Sequence, residues 1–123
     1  MKLEDKELLL KDLCARLPYG VVLELDEKFG FNKGTHVLVK ELLDSYCVEG
    51  IKPYLRPMSS MTEEEEKEYI NIDNRSYSCP MAYAHILASD RIDWLNAHHF
   101  DYRHLIEKGL AIEAPEGMYN LNK

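Results

Sequence analysis

Between Leu3 and Leu17 the apolar residues Leu9, Leu13 and Leu17, flanked by Leu10 and Cys14, recur at helical spacing. That period predicts an amphipathic N-terminal helix. Glu4 and Asp5 stand early in it and Lys11 and Arg16 late, the order a helix macrodipole favours, and Pro18, Tyr19 and Gly20 end it. The pattern then changes to period two. In VVLEL, Val21, Leu23 and Leu25 share one side of a predicted strand, and after a charged turn with Gly30, Asn32 and Gly34 the run THVLV reads as the returning strand of a hairpin.

KELLDSYCVEGIKPYLRP is less regular. LDSYCV alternates well enough for a third strand, the reading adopted, while KELLDSY also fits one or two helical turns. Pro53 and Pro57 each fix their own φ and push the preceding residue out of the helical region, so PYLRP is expected to be an extended connector that docks Tyr54 and Leu55 on the core.

MSSMTEEEEKEYINI follows, where Thr62 and Glu65 have the spacing of a capping box and predict a short helix from residue 63. Its four glutamates cover every azimuth of one turn, leaving Tyr69, Ile70 and Ile72 to anchor what comes after. PMAYAHILAS carries Pro80 at a first helical position, with Met81, Ala84, His85 and Ala88 along one side, and the helical pattern continues from Asp90 to His98, either directly or after a kink. Near the end, AIEA and MYNL flank a Pro-Glu-Gly turn and predict a β-hairpin. The expected fold is α+β: an N-terminal helix on a small antiparallel sheet, an acidic connector, and a helical C-terminal half ending in a wing-like hairpin. The 123 residues suit one small domain, or two lobes, 1–58 and 76–123, joined by the connector 59–75.

DWLNAHHFDYRHL, residues 93–105, concentrates three histidines and two aspartates. Metal binding by His98, His99 and His104 is one reading, but His98 and His99 are adjacent, His99 and His104 are five apart, and HExxH is absent. A structural reading accounts for more. Ile92 and Leu95 face the core, Trp94 stacks on His98 one turn later, and Asp101 is the N-cap of a second helix, YRHLIEK, with Leu105 and Ile106 inward. Gly109 becomes the left-handed residue of a Schellman motif and Leu110 its hydrophobic contact, which leaves the histidines as half-exposed bystanders. Ser76, Ser78 and Ser89 lie in no nucleophile elbow, Asp93 and Asp101 have no fixed separation, and no glycine-rich phosphate loop occurs. No catalytic set and no cofactor are assigned.

Charge sharpens the picture at one place. Residues 62–73 carry −5 of the formal net charge of −7, so the remaining surface is mixed in sign, without a basic stripe for a phosphate backbone. Glu63, Glu64, Glu65 and Glu66 are the candidate partner-binding residues, for a basic protein. Cys14, Cys47 and Cys79 contain no CxxC pair and are read as reduced core thiols of a cytoplasmic protein. No run approaches the ~20 apolar residues that span a bilayer.

IKPYLRPMSSMTEEE (51–65), DWLNAHHFDYRHLIEKGLAIEAPEGMY (93–119) and KDLCARLPYG (11–20) together resemble a group of short proteins of gut Bacteroidales bacteria and their phages or prophages. The resemblance covers about half the chain, omits Glu24 to Tyr46, and brings no activity. It implies a cytoplasmic setting and an accessory role in a phage or mobile element. Locally, LIEKGLAIE, a turn and MYNL also resemble the last helix and wing of winged-helix DNA-binding domains. Arg103 and Lys108 there face Glu107 and Asp101, and the wing would carry Glu113 and Glu116, a poor match to DNA. A protein-binding module is therefore the leading expectation, with a winged-helix regulator and a small metal enzyme built on the histidines as alternatives.

Overall fold

The computed structural model describes residues 2–26, 34–38, 50–78 and 84–119, with side chains described outside 73–78 and 84–88. Helix α1 (Leu3–Arg16) leads into strands β1 (Val22–Leu25), β2 (Gly34–Val37) and β3 (Ile51–Leu55), then helices α2 (Glu63–Ser78) and α3 (Ala84–Ala97) and the two-residue strand β4 (Ile112–Glu113). The alternation of VVLEL is realised as predicted. Val21, Leu23 and Leu25 are buried on one side of the sheet, and β2 returns antiparallel with Val22 opposite Val37. Leu9 and Leu13 of α1 join them, as do Leu38, Ile51, Leu55, Leu105, Leu110 and Ala111, so the core draws on both ends of the chain. Each fully buried leucine stabilises this core by about 2 kcal/mol relative to exposure.

The sheet has order β2-β1-β3-β4 and is mixed, because β4 runs parallel to β3. The extended connector around Pro53 is in fact an inner strand. Asp26 donates its backbone N–H to the Gly50 carbonyl at 2.9 Å. Alternation along an antiparallel ladder then makes Leu23 and Pro53 a non-hydrogen-bonded pair, with the proline nitrogen turned away from β1. On that other flank β4 pairing begins only at Tyr54, so the missing N–H leaves no gap in either ladder.

Further expectations change. The short helix expected from residue 63 does start there, but it runs for 16 residues as α2 and packs along α3 instead of serving as a connector. The second helix at YRHLIEK is replaced by turns, because His104 at φ 59° interrupts the helical path. No β-hairpin wing forms among the described residues: AIEA contributes β4 to the parallel pair, and Met118 and Tyr119 form a bend. Ile92 and Cys14, expected inside, are exposed, since α3 and α1 turn neighbouring positions to the core. The proposed third strand LDSYCV, with Cys47, and the turn at Gly30 lie outside the described residues, as do Cys79 and Pro80.

A hydroxyl completes the sheet. One step past the Leu23–Pro53 pair, Val22 and Tyr54 would face each other; there the Tyr119 hydroxyl accepts the Val22 N–H at 2.8 Å and donates to the Tyr54 carbonyl at 2.7 Å. Burial pushes the Tyr119 phenol up to about 12, so it stays a donor at ordinary pH.

Candidate functional site

Arg56, the residue after β3, ties the two halves together. Its backbone N–H donates to the His99 carbonyl and its carbonyl accepts from Asp101 N–H, each at 2.8 Å, flanking a parallel bridge to Phe100. The guanidinium lies over the Phe100 ring, 4.2 Å from its centroid, and grips Glu65 with both forks, Nη1 to Oε2 at 2.7 Å and Nη2 to Oε1 at 2.6 Å. Bidentate charge-assisted bonds over an aromatic face are the geometry for which arginine is suited. The hydrogen bond from Arg56 outweighs desolvation and holds the Glu65 carboxyl down at about 2.

The same carboxylate closes the capping box foreseen from the sequence. Oε1 accepts the Thr62 N–H at 3.0 Å, while Thr62 Oγ1 accepts the Glu65 N–H at 3.2 Å. Glu65 is thus turned inward, and of the four candidate partner-binding glutamates only Glu63, Glu64 and Glu66 present free carboxylates to solvent. Because the first turn of α2 is capped and clamped to the end of β3, these three project from a fixed corner.

The polar cluster around Trp94 divides. His98 stacks on Trp94 with centroids 4.0 Å apart, as its spacing predicts, and its Nδ1 donates to the Trp94 carbonyl at 2.9 Å. Trp94 Nε1 donates to Glu68 on α2 at 3.2 Å, and Tyr69 lies against the indole at 5.6 Å. His99 is no half-exposed bystander: it is buried, adopts φ 64°, and stacks on Tyr119 at 3.8 Å. Burial, with Arg16, His98 and Arg56 nearby, lowers its imidazole to about 4 and keeps it neutral. His104 is exposed, and among the described residues no group of three or more His, Cys, Asp or Glu side chains is arranged to hold a metal ion.

His99 closes α3 as a glycine usually would. Its N–H donates to Asn96 O at 3.1 Å and Phe100 N–H reaches Leu95 O at 3.0 Å, the paired bonds of a Schellman motif. Ten residues on, Gly109 at φ 74° repeats the device, with Gly109 N–H to Ile106 O at 3.1 Å and Leu110 N–H to Leu105 O at 2.9 Å. Asp101 also caps, but the unit it caps is this single turn, its carboxylate accepting from Leu105 N–H at 2.8 Å and Ile106 N–H at 3.0 Å.

A buried ionic network gave no warning in the sequence beyond an i, i+4 spacing. Asp12 and Arg16 have fully buried side chains 2.7 Å apart, Arg103 Nη1 adds a second bond to Asp12 at 2.7 Å, and Arg16 Nη2 donates to the Phe100 carbonyl at 2.6 Å. The Tyr102 ring lies 5.2 Å from the Arg16 guanidinium and 4.7 Å from that of Arg103, and its hydroxyl donates to the buried Asn96 at 2.9 Å. These bonds fasten α1 to the turns after α3.

Beside the acidic corner opens a groove of about 770 Å³. One wall is Arg56, Pro57, Ser59 and Ser60 with Thr62 and Glu65; the other is the 113–117 segment with Tyr119. No protein-family model, curated protein or solved structure matches the chain. Among the described residues no helix is long and apolar enough to cross a membrane.

Proposed function

We propose that the chain is a protein-binding module that offers an acidic corner to a basic partner. The observation that carries this reading is the division of labour at the start of α2. Glu65 is spent on Arg56 and the capping box, which makes the corner rigid, while Glu63, Glu64 and Glu66 remain exposed and have no partner among the described residues. Carboxylates held on a rigid element steer an oppositely charged surface without an ordering cost for the helix that bears them. Phosphate backbones would be repelled by the same field, so a protein is favoured over nucleic acid. The resemblance of residues 51–65 and 93–119 to phage and prophage proteins adds a setting, an accessory factor directed at a host protein in the cytoplasm.

The test leaves Glu65 in place. A tagged chain recovered with its partner at low ionic strength is compared with an E63Q/E64Q/E66Q variant, which is expected to fold normally and to lose that partner. Equal recovery by the two proteins would remove the corner from consideration.

A further inference from the structure

We infer that the groove beside the acidic corner receives an arginine or lysine side chain carried by an extended segment of the partner. This rests on the reading above and names the place of contact.

The charges lining the groove decide the sign of its ligand. Among the described residues its one cation, Arg56, is already engaged, with both forks on Glu65 and further bonds from Nη2 to the Ser60 carbonyl at 3.3 Å and Nη1 to the His98 carbonyl at 3.4 Å. Glu65 is matched in turn. What remains uncompensated is Glu113 and Glu116 on the opposite wall, both exposed and without a partner among the described residues. The described lining therefore sums to a net charge of about −2 and draws cations.

Its shape and lining choose among cations. A volume of about 770 Å³ exceeds what one ion needs and falls within the ~300–1,000 Å³ of sites that enclose organic ligands. Among the described residues no three ligating groups converge on a metal. Pro57, Pro115 and Tyr119 give apolar surface beside the polar Ser59 and Thr62, which suits an aliphatic stem ending in a charge. The walls are fixed in advance, one by the Arg56–Glu65 clamp and the other by the Tyr119 hydroxyl between β1 and β3. Docking thus orders little of the host.

A capped peptide of alternating glycine and arginine, titrated at low ionic strength and followed by backbone amide shifts, tests the inference. Saturable shifts at Ser59, Ser60, Ala114 and Gly117 are expected, weakening as salt is raised. An E113Q/E116Q variant, altered only at exposed positions, should keep its circular dichroism spectrum and bind roughly tenfold more weakly. Absence of those shifts in the wild-type chain, or undiminished affinity in E113Q/E116Q, would overturn the inference. Free spermidine moving the same amides at the same concentrations would also overturn it, since the groove would then hold any small polycation. Titration of E63Q/E64Q/E66Q separates the two proposals. Shifts confined to residues 63–66 and abolished in that variant would sink the groove and spare the corner, whereas shifts retained in it and lost in E113Q/E116Q would support the groove alone.

Discussion

Asp12 and Arg16, one helical turn apart, form a fully buried ion pair with Nε to Oδ2 at 2.7 Å. The arginine continues to the Phe100 carbonyl, so the pair acts as a pin through α1 into the far end of the chain. Removing one member leaves a charge stranded in the interior. Asp12→Ala is expected to destabilise the fold by about 3–5 kcal/mol in urea titration. A loss under 1 kcal/mol would mean that the arginine finds another partner or water.

Tyr119→Phe keeps the ring on His99 and removes only the hydroxyl. The Val22 N–H and Tyr54 carbonyl then lose their bridge, and stability should fall by about 1–3 kcal/mol. Hydrogen exchange at Val22 is the more telling readout, because that amide should become the weak point of β1.

Two groups set the acid limb of the stability curve in separate windows. His99 is held at about 4 against 6.5 for a free imidazole; an unfolded chain takes up its proton first, so stability is complete above pH 6.5 and declines as pH falls towards 4, by roughly 3 kcal/mol at most. Glu65 is held at about 2 against 4.5, so its contribution is present above pH 4.5 and is lost as pH falls through 2. His99→Asn, which tolerates the left-handed backbone, should flatten the first window and leave the second. Glu65→Gln should do the reverse. Denaturant midpoints measured at half-unit intervals of pH distinguish the two.

At Gly109 a Cβ would meet no atom within 4 Å, so Gly109→Ala isolates backbone strain from crowding. With φ at 74° the expected cost is roughly 1 kcal/mol. A neutral substitution would show that the turn relaxes out of the left-handed region.

Local signals in the sequence were legible and long-range ones were not. The alternation in VVLEL, the Thr62–Glu65 spacing, the Trp94–His98 stack and the glycine closure at 109 all depend on neighbours within about five residues, and each is found. Pro53 misled because its effect on the ladder depends on which flank its nitrogen faces, and that is fixed by pairing with β1. His99 carried no mark of its left-handed conformation, since nothing nearby announces the Tyr119 ring stacked on it. Arg16 read as a C-terminal dipole partner; its burial is decided by Arg103 and Phe100, more than eighty residues away. At the acidic helix the charge and the cap were legible locally, whereas the inward turn of Glu65 required Arg56, just past the end of β3.

The placement of Trp94 gives the molecule an internal optical gauge. It is the one tryptophan in the chain, set between α2 and α3 with Tyr69, His98 and Phe100 around it. Its emission reports the opening of that seam and is nearly blind to the hairpin of β1 and β2. Melting curves recorded at the indole band and in the far ultraviolet can therefore reveal, without any label, whether the helical layer parts before the strands do.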